Sequence, residues 1–192
     1  MPDTTTATTR ERMVSTAMTL FRRDGYAATS WRHLVEEAGT PWGSAYHHFP
    51  GGKEQLAVAA VELGTTVVAA TVRRAFERTE TVEDAVRWWF GKAGQALAAD
   101  GYRGGCPVAT ITLELANSSP ALTEACRAAF TSWHELLTGL LAGHGFDAAR
   151  ADDLAIAAMN NLEGALLLCR VRRSLDPLER AAAHVALVIE AA

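Results

Sequence analysis

TSWRHLVEEAGTPWGSAYHHFPGGK, residues 29–53, is the stretch whose reading decides the fold. Thr29 or Ser30 opens a short helix through Ala38, and Gly39 breaks it. Thr40-Pro41 then pairs an N-cap residue with a first-turn proline, starting a second short helix that ends near His48, before Pro50-Gly51-Gly52. A helix, a tight turn and a second short helix have the length and layout of a helix-turn-helix. In that motif the second helix enters the DNA major groove while the first braces it.

Working outward, Thr8 or Thr9 caps an upstream helix whose apolar positions Met13, Val14, Ala17, Leu20 and Phe21 recur at helical spacing, and Gly25 ends it. Downstream, a long helix runs from Lys53 to about Arg78. Thr81 precedes a helix carrying Val82, Val86, Trp89, Ala93 and Leu97. Gly101 to Gly105 form a glycine-rich break, and a segment from Pro107 through Ala116 follows. Ser118-Ser119-Pro120 caps a helix with Leu122, Ala125, Ala129, Trp133, Leu136 and Leu140 on one stripe. Asp147 begins the next, and Asp176-Pro177-Leu178-Glu179 supplies a cap, a first-turn proline and a capping-box glutamate for the last. No Val/Ile/Thr-rich run of period two competes with these signals. The expected fold class is all-α with about nine helices. A three-helix head occupies residues 1–53, and a larger helical ligand-binding and dimerisation domain occupies residues 54–192.

Composition agrees with that reading. The chain is 49% hydrophobic and 21% charged, enough for a real core, and only 7% aromatic, which suits close-packed helices. The net charge of −4 is unevenly spread. Residues 1–53 carry six basic and five acidic side chains, net +1, leaving twelve basic and seventeen acidic ones, net −5, for the remainder. An acidic body with a slightly basic head fits a protein whose head alone meets phosphates. Met1 to Thr9 is small and polar, unlike a signal peptide, and no run of about eighteen apolar residues appears. The expectation is a cytoplasmic protein without a membrane partner. Cys106, Cys126 and Cys169 stand at no metal-like spacing and read as reduced thiols; no metal or cofactor is expected.

The run Ala38 to Leu56, with its Tyr46-His47-His48-Phe49 and Lys53-Glu54 steps, closely resembles the signature of TetR/AcrR-type repressors, and the resemblance is strong over residues 8–60. Beyond residue 80 it is looser. There Gly105-Cys106-Pro107-Val108 and Asn160-Asn161 with Glu163-Gly164 resemble the LmrA/YxaF-like branch. The resemblance implies double-stranded operator DNA as partner. Tyr46 falls on the family's recognition-helix tyrosine, whose hydroxyl bonds a phosphate while its ring packs on the sugar. Lys53 falls at the start of the fourth helix, where its ammonium and the unpaired N–H groups of the helix end both favour a phosphate. Thr40 and His48 are further backbone-contact candidates, with Thr29 and Ser30 at the start of the bracing helix. Arg32 matches a position that reaches a base edge, where bidentate contact to guanine is the commonest specific pairing. Trp42, Gly43, Ser44 and His47 complete the recognition surface. One departure stands out: Pro41 to Phe49 holds no Arg or Lys, where many relatives carry one.

Plainer readings compete. Phe49 reads as core and Trp31 as packing. Arg22 and Arg23 read as a solvated helix end. His47-His48 suggests a metal pair, but adjacent histidines point to different faces of a helix and lack a third ligand.

In the second part, the two apolar helices of residues 147–191 provide a stripe for a homodimer, with Leu154, Met159, Leu162, Leu166 and Leu187 as interface candidates. The alternative is that both helices merely complete a monomer's core. Trp88, Trp89, Phe130 and Trp133, with Thr110, Glu114, Asn160, Asn161 and Glu163, read equally as plain core or as the lining of an apolar effector pocket. Glu163 and Glu114 point to a cationic or hydrogen-bond-donating effector, unless they pair with an arginine such as Arg170. Two rival functions were weighed. An enzyme using Cys106, activated at a helix start, lacks any acid/base pair, phosphate loop or metal set. An architectural DNA binder without a ligand leaves the large C-terminal portion unexplained.

Overall fold

The computed structural model describes residues 7–115 and 119–191. Nine helices and no strand occur among the described residues: α1 (Thr9–Asp24), α2 (Trp31–Glu37), α3 (Trp42–His48), α4 (Gly52–Arg78), α5 (Val82–Ala99), α6 (Pro107–Leu115), α7 (Pro120–Gly143), α8 (Ala148–Arg172) and α9 (Asp176–Glu190). The expected helix end at Ala116, and Ser118 in the expected cap of α7, lie outside the described residues.

Most helix starts follow from one side-chain oxygen each. Thr8 caps α1 in a full capping box with Glu11, whose carboxylate pKa is lowered by the Thr8 backbone N–H. Ser30, Thr81, Ser119 and Asp147 accept the backbone N–H of His33, Asp84, Leu122 and Arg150 at the starts of α2, α5, α7 and α8. Two starts differ from expectation. At α3 the N-cap is Pro41, not Thr40, because the Thr40 hydroxyl turns back to donate to the Ala38 carbonyl and Thr40 is buried. At α9 the N-cap is Leu175. Asp176 is already helical, donates its N–H to Ser174 Oγ and pairs its carboxylate with Arg180, so no capping box forms.

The apolar faces fall into two clusters. One joins α1, α2, α3 and the first half of α4 to Val108 and Ile111 of α6 and to Leu122, Cys126, Ala129 and Trp133 of α7. The other joins the second half of α4 to α5, α7, α8 and α9. The division expected after residue 53 therefore falls within the first turn of α4, and apolar contact runs on through Leu56 to Val61. Helix α4 belongs to both clusters. By length and mean hydropathy, α4 and α8 match membrane-crossing helices. Here α4 packs on α1, α5, α6 and α7, and α8 on α5, α7 and α9, as central helices of a layered bundle.

Candidate nucleic-acid interface and effector cavity

The head is built around Phe21, Leu34, Val35, Ala45, Phe49 and Leu56, all buried. Gly39, at φ 57°, supplies the left-handed backbone that turns α2 into α3. With Ala45 and Phe49 facing inward, the outer side of α3 presents Trp42, 46% exposed, and Tyr46, 52% exposed, together with Gly43 and His47, while Ser44 and His48 are half-buried. Trp31 packs its ring 5.6 Å from that of Tyr46, and Tyr46 lies 6.3 Å from Trp42. Trp31 thus packs against Tyr46 from α2. Large aromatics left this exposed on a short helix point to a contact surface.

Arg32 projects freely from α2, engaged only by Glu36 one turn on at 2.7 Å. Such an exposed pair is worth little and exchanges readily for a stronger partner. Lys53 rests its ammonium 3.8 Å above the Tyr26 ring at the start of α4, beside Gly51, which offers no side-chain cap. Partial burial lowers its pKa, and the Glu114 carboxylate pulls the other way. Ser30 is spent as the cap of α2 but remains exposed. Two expected contact residues are placed elsewhere: Thr29 and Thr40 are buried, and the Thr29 hydroxyl donates to the Gly25 carbonyl at 2.7 Å. Their side chains build the turns that aim α2 and α3 and are not free to touch DNA. His47 and His48 lie ring against ring at 5.4 Å, and no group of three potential metal ligands converges among the described residues.

A cavity of about 770 Å³ opens between α1, α4, α5, the start of α6, α7 and α8, within the size range of small-molecule sites. Of the candidate pocket residues, Trp88, Trp89, Trp133 and Glu163 border it; Thr110, Glu114, Phe130, Asn160 and Asn161 do not. The Thr110 hydroxyl donates to the Cys106 carbonyl within α6, and Asn161 donates to the Ala157 carbonyl within α8, while Asn160 is exposed. Phe130 lines a separate small hollow between α6 and α7. Cys106 and Glu163 meet at the cavity wall. Burial pushes the thiol well above its ordinary pKa, and the neighbouring carboxyl adds to the effect, so this is no activated nucleophile. Burial likewise raises Glu163, and no ion pair joins it to Arg170 or any other arginine among the described residues.

Glu114 has a different place from the one expected. It accepts the backbone N–H groups of Tyr26 and Ala27, at 3.1 and 2.6 Å, tying the end of α6 to the loop between α1 and α2. Nothing in the sequence pattern announced this tie except an acid in the last turn of a helix, the wrong end for the helix dipole. Of the expected interface residues, Leu154, Leu162 and Leu166 are buried inside the protomer, and Met159, Leu162 and Leu166 line the cavity. Only Leu187 is exposed, and α8 turns a different stripe outward: Ile156, Leu167, Leu168 and Val171, the last 84% exposed.

A recognition helix displayed by a three-helix head, on a helical body that encloses a cavity, defines a DNA-binding transcriptional regulator. The chain belongs to the TetR family: residues 14–60 match the model of bacterial regulatory proteins of the tetR family, and residues 82–184 match that of the transcriptional regulator LmrA/YxaF-like C-terminal domain. It is 37% identical over 176 residues to the uncharacterised HTH-type transcriptional regulator Rv0196 of Mycobacterium tuberculosis, covering 88% of each chain. It is 29% identical over 169 residues to the HTH-type transcriptional regulator LmrA of Bacillus subtilis, covering 88% of this chain and 90% of that one. Among solved structures, a TetR transcriptional regulator from Legionella pneumophila superposes with a TM-score of 0.83 at 22% identity, covering 96% of this chain and 98% of that one, a likeness of fold.

Proposed function

We propose that the protein is a cytoplasmic repressor that grips operator DNA as a homodimer and releases it when a small, largely apolar effector fills the cavity. The observation that carries this reading is the sharing of elements. Helix α4 begins at the DNA-facing Lys53 and lines the cavity with Val67, Val68 and Thr71, while α6 begins at the cavity with Pro107 and ends on the head through Glu114. An effector that favours a different seating of α4 and α6 thereby favours a different spacing of the two heads. By linkage, whatever factor it takes from operator affinity, operator takes from effector affinity.

Homodimerisation is supported by the outward apolar stripe of α8 with Leu187 of α9, since a two-fold partner presents two recognition helices to successive major grooves. Within each head, Tyr46, Lys53 and His48 serve the phosphate backbone. Arg32, Trp42, Ser44 and His47 serve base edges, Gly43 permits close approach, and Ser30 offers its exposed helix start.

The contacts are tested by titrating operator DNA at several salt concentrations. Lys53→Ala weakens binding to all sequences, roughly tenfold at moderate salt, and reduces the salt slope by about one. Tyr46→Phe weakens all sequences in the same way. Arg32→Ala relaxes preference at one base pair per half-site by roughly tenfold. If Lys53→Ala and Tyr46→Phe both leave affinity unchanged, this placement of the DNA face is wrong.

A further inference from the structure

We infer that the cavity takes an amphiphilic anion: a largely apolar body that ends in a carboxylate or a similar acid group. This deepens the effector reading above and rests on it; what it adds is the sign of the ligand's charge. Much of the lining is apolar, including Trp89, Trp133, Met159, Leu162 and Leu166. The polar part of the lining is unbalanced. Arg74 and Arg78 of α4 and Lys92 of α5 all border the cavity, and none forms an ion pair with a carboxylate among the described residues. Arg22, a fourth cation of the lining, is engaged by Asp100 at 3.3 Å.

The sole carboxylate of the lining is Glu163, turned to the Cys106 thiol. Burial raises its pKa, with the hydrogen bond from the Cys106 thiol acting against that rise. Arg78 has a structural reason for its place, because a cation in the last turn of α4 answers the helix dipole. Arg74 and Lys92 stand outside the last turns of α4 and α5 and are exposed. Lys92 reaches the Gln95 side chain at 2.9 Å and lies 5.3 Å from the Trp88 ring centroid, so its ammonium stays at the cavity's edge without a counter-charge. Cations without a carboxylate partner around an apolar slot repel a cationic head group and attract an anionic one. This reverses the expectation drawn from Glu163 and Glu114, because Glu114 is spent on the head and Glu163 is one carboxylate, turned to the Cys106 thiol, against three cations without an ion-pair partner among the described residues.

The test uses three probes with one apolar body, namely decanoate, decanol and decyltrimethylammonium. Each is titrated into the full-length protein by calorimetry, with quenching of the cavity tryptophans as a second readout. Decanoate is expected to bind about tenfold tighter than decanol, decyltrimethylammonium weaker than either, and the preference for decanoate to shrink as salt rises. In the double variant Arg74→Gln/Lys92→Gln the decanoate preference is expected to fall to within about twofold of decanol, with decanol affinity unchanged. That unchanged value shows the cavity intact. Equal or tighter binding of decyltrimethylammonium, accompanied by operator release, overturns the charge inference and leaves the effector reading standing. If no probe binds, both fall.

Discussion

The double variant Leu168→Glu/Leu187→Glu is expected to be a folded monomer that has lost roughly a hundredfold or more of operator affinity. Both side chains are at least half exposed in the protomer, so the substitutions leave its core untouched, and circular dichroism should show the wild-type helix signal. On α8, the exposed Ile156, Asn160, Gly164, Leu167 or Leu168, and Val171 recur at three- and four-residue intervals along one face of the helix. An isologous interface uses the same patch from both subunits, so two new carboxylates per chain become four facing like charges that would have to be desolvated together. Once the subunits part, the second head no longer binds at the high effective concentration that the first confers, and affinities linked in this way fall by about two to four orders of magnitude. Light scattering and operator titration read both consequences. A variant that remains dimeric with full affinity would place the interface on another face.

Glu114→Ala is expected to leave effector binding within about twofold of wild type while removing most of the effector's grip on the operator. Helix α6 is nine residues long. Cys106 and Pro107 at its start line the cavity, and Glu114 near its end holds the N–H groups of Tyr26 and Ala27. The fit is tight at both ends. A Cβ on Gly64 of α4 would meet Pro107 at 2.9 Å, and one on Gly25, whose φ is 88°, would run into the Glu114 carboxylate. A body pressing on Pro107 therefore moves a short rigid rod whose far end is fastened to the loop that orients α2. Without the carboxylate, those exposed N–H groups turn to water and the rod's end is free. Titrating decanoate, or any probe the cavity accepts, with and without operator gives the coupling factor directly. A coupling of about 5- to 150-fold, the usual range for allosteric pairs, should collapse towards one. An unchanged factor would assign the transmission to α4 alone.

What was legible in the sequence and what was not follow from the range of the interactions. Local chemistry read well: Thr8, Ser30, Thr81, Ser119 and Asp147 each place an oxygen one turn ahead of an apolar stripe. Thr40 and Asp176 have the same local look but are diverted, one to the Ala38 carbonyl and the other to Arg180. The head is legible because its motif is contiguous. The cavity is assembled from six helices, so its aromatic lining was visible only as a set of candidates, and Phe130 fell on the wrong side of α7. On α8 the run Leu166-Leu167-Leu168 is apolar on more than one face, and no periodicity says which side packs inside the protomer; Leu166 turns inward while Leu167 and Leu168 turn out. Arg74 and Lys92 look like ordinary polar faces of their helices until α4 and α5 are set side by side. Glu114 acts across a sequence separation of nearly ninety residues, which local patterning does not reach.

Two identical heads are expected to read a two-fold operator, and selection of bound duplexes from a random pool by the full-length protein tests this most directly. The expected result is a palindromic or near-palindromic consensus whose half-site centres lie about 34–36 Å apart along the helix axis, or a simple multiple of that. Arg32→Ala should blur one position in each half equally. A pool that returns no enriched sequence, or a single unrepeated half-site bound by a monomer, would contradict it.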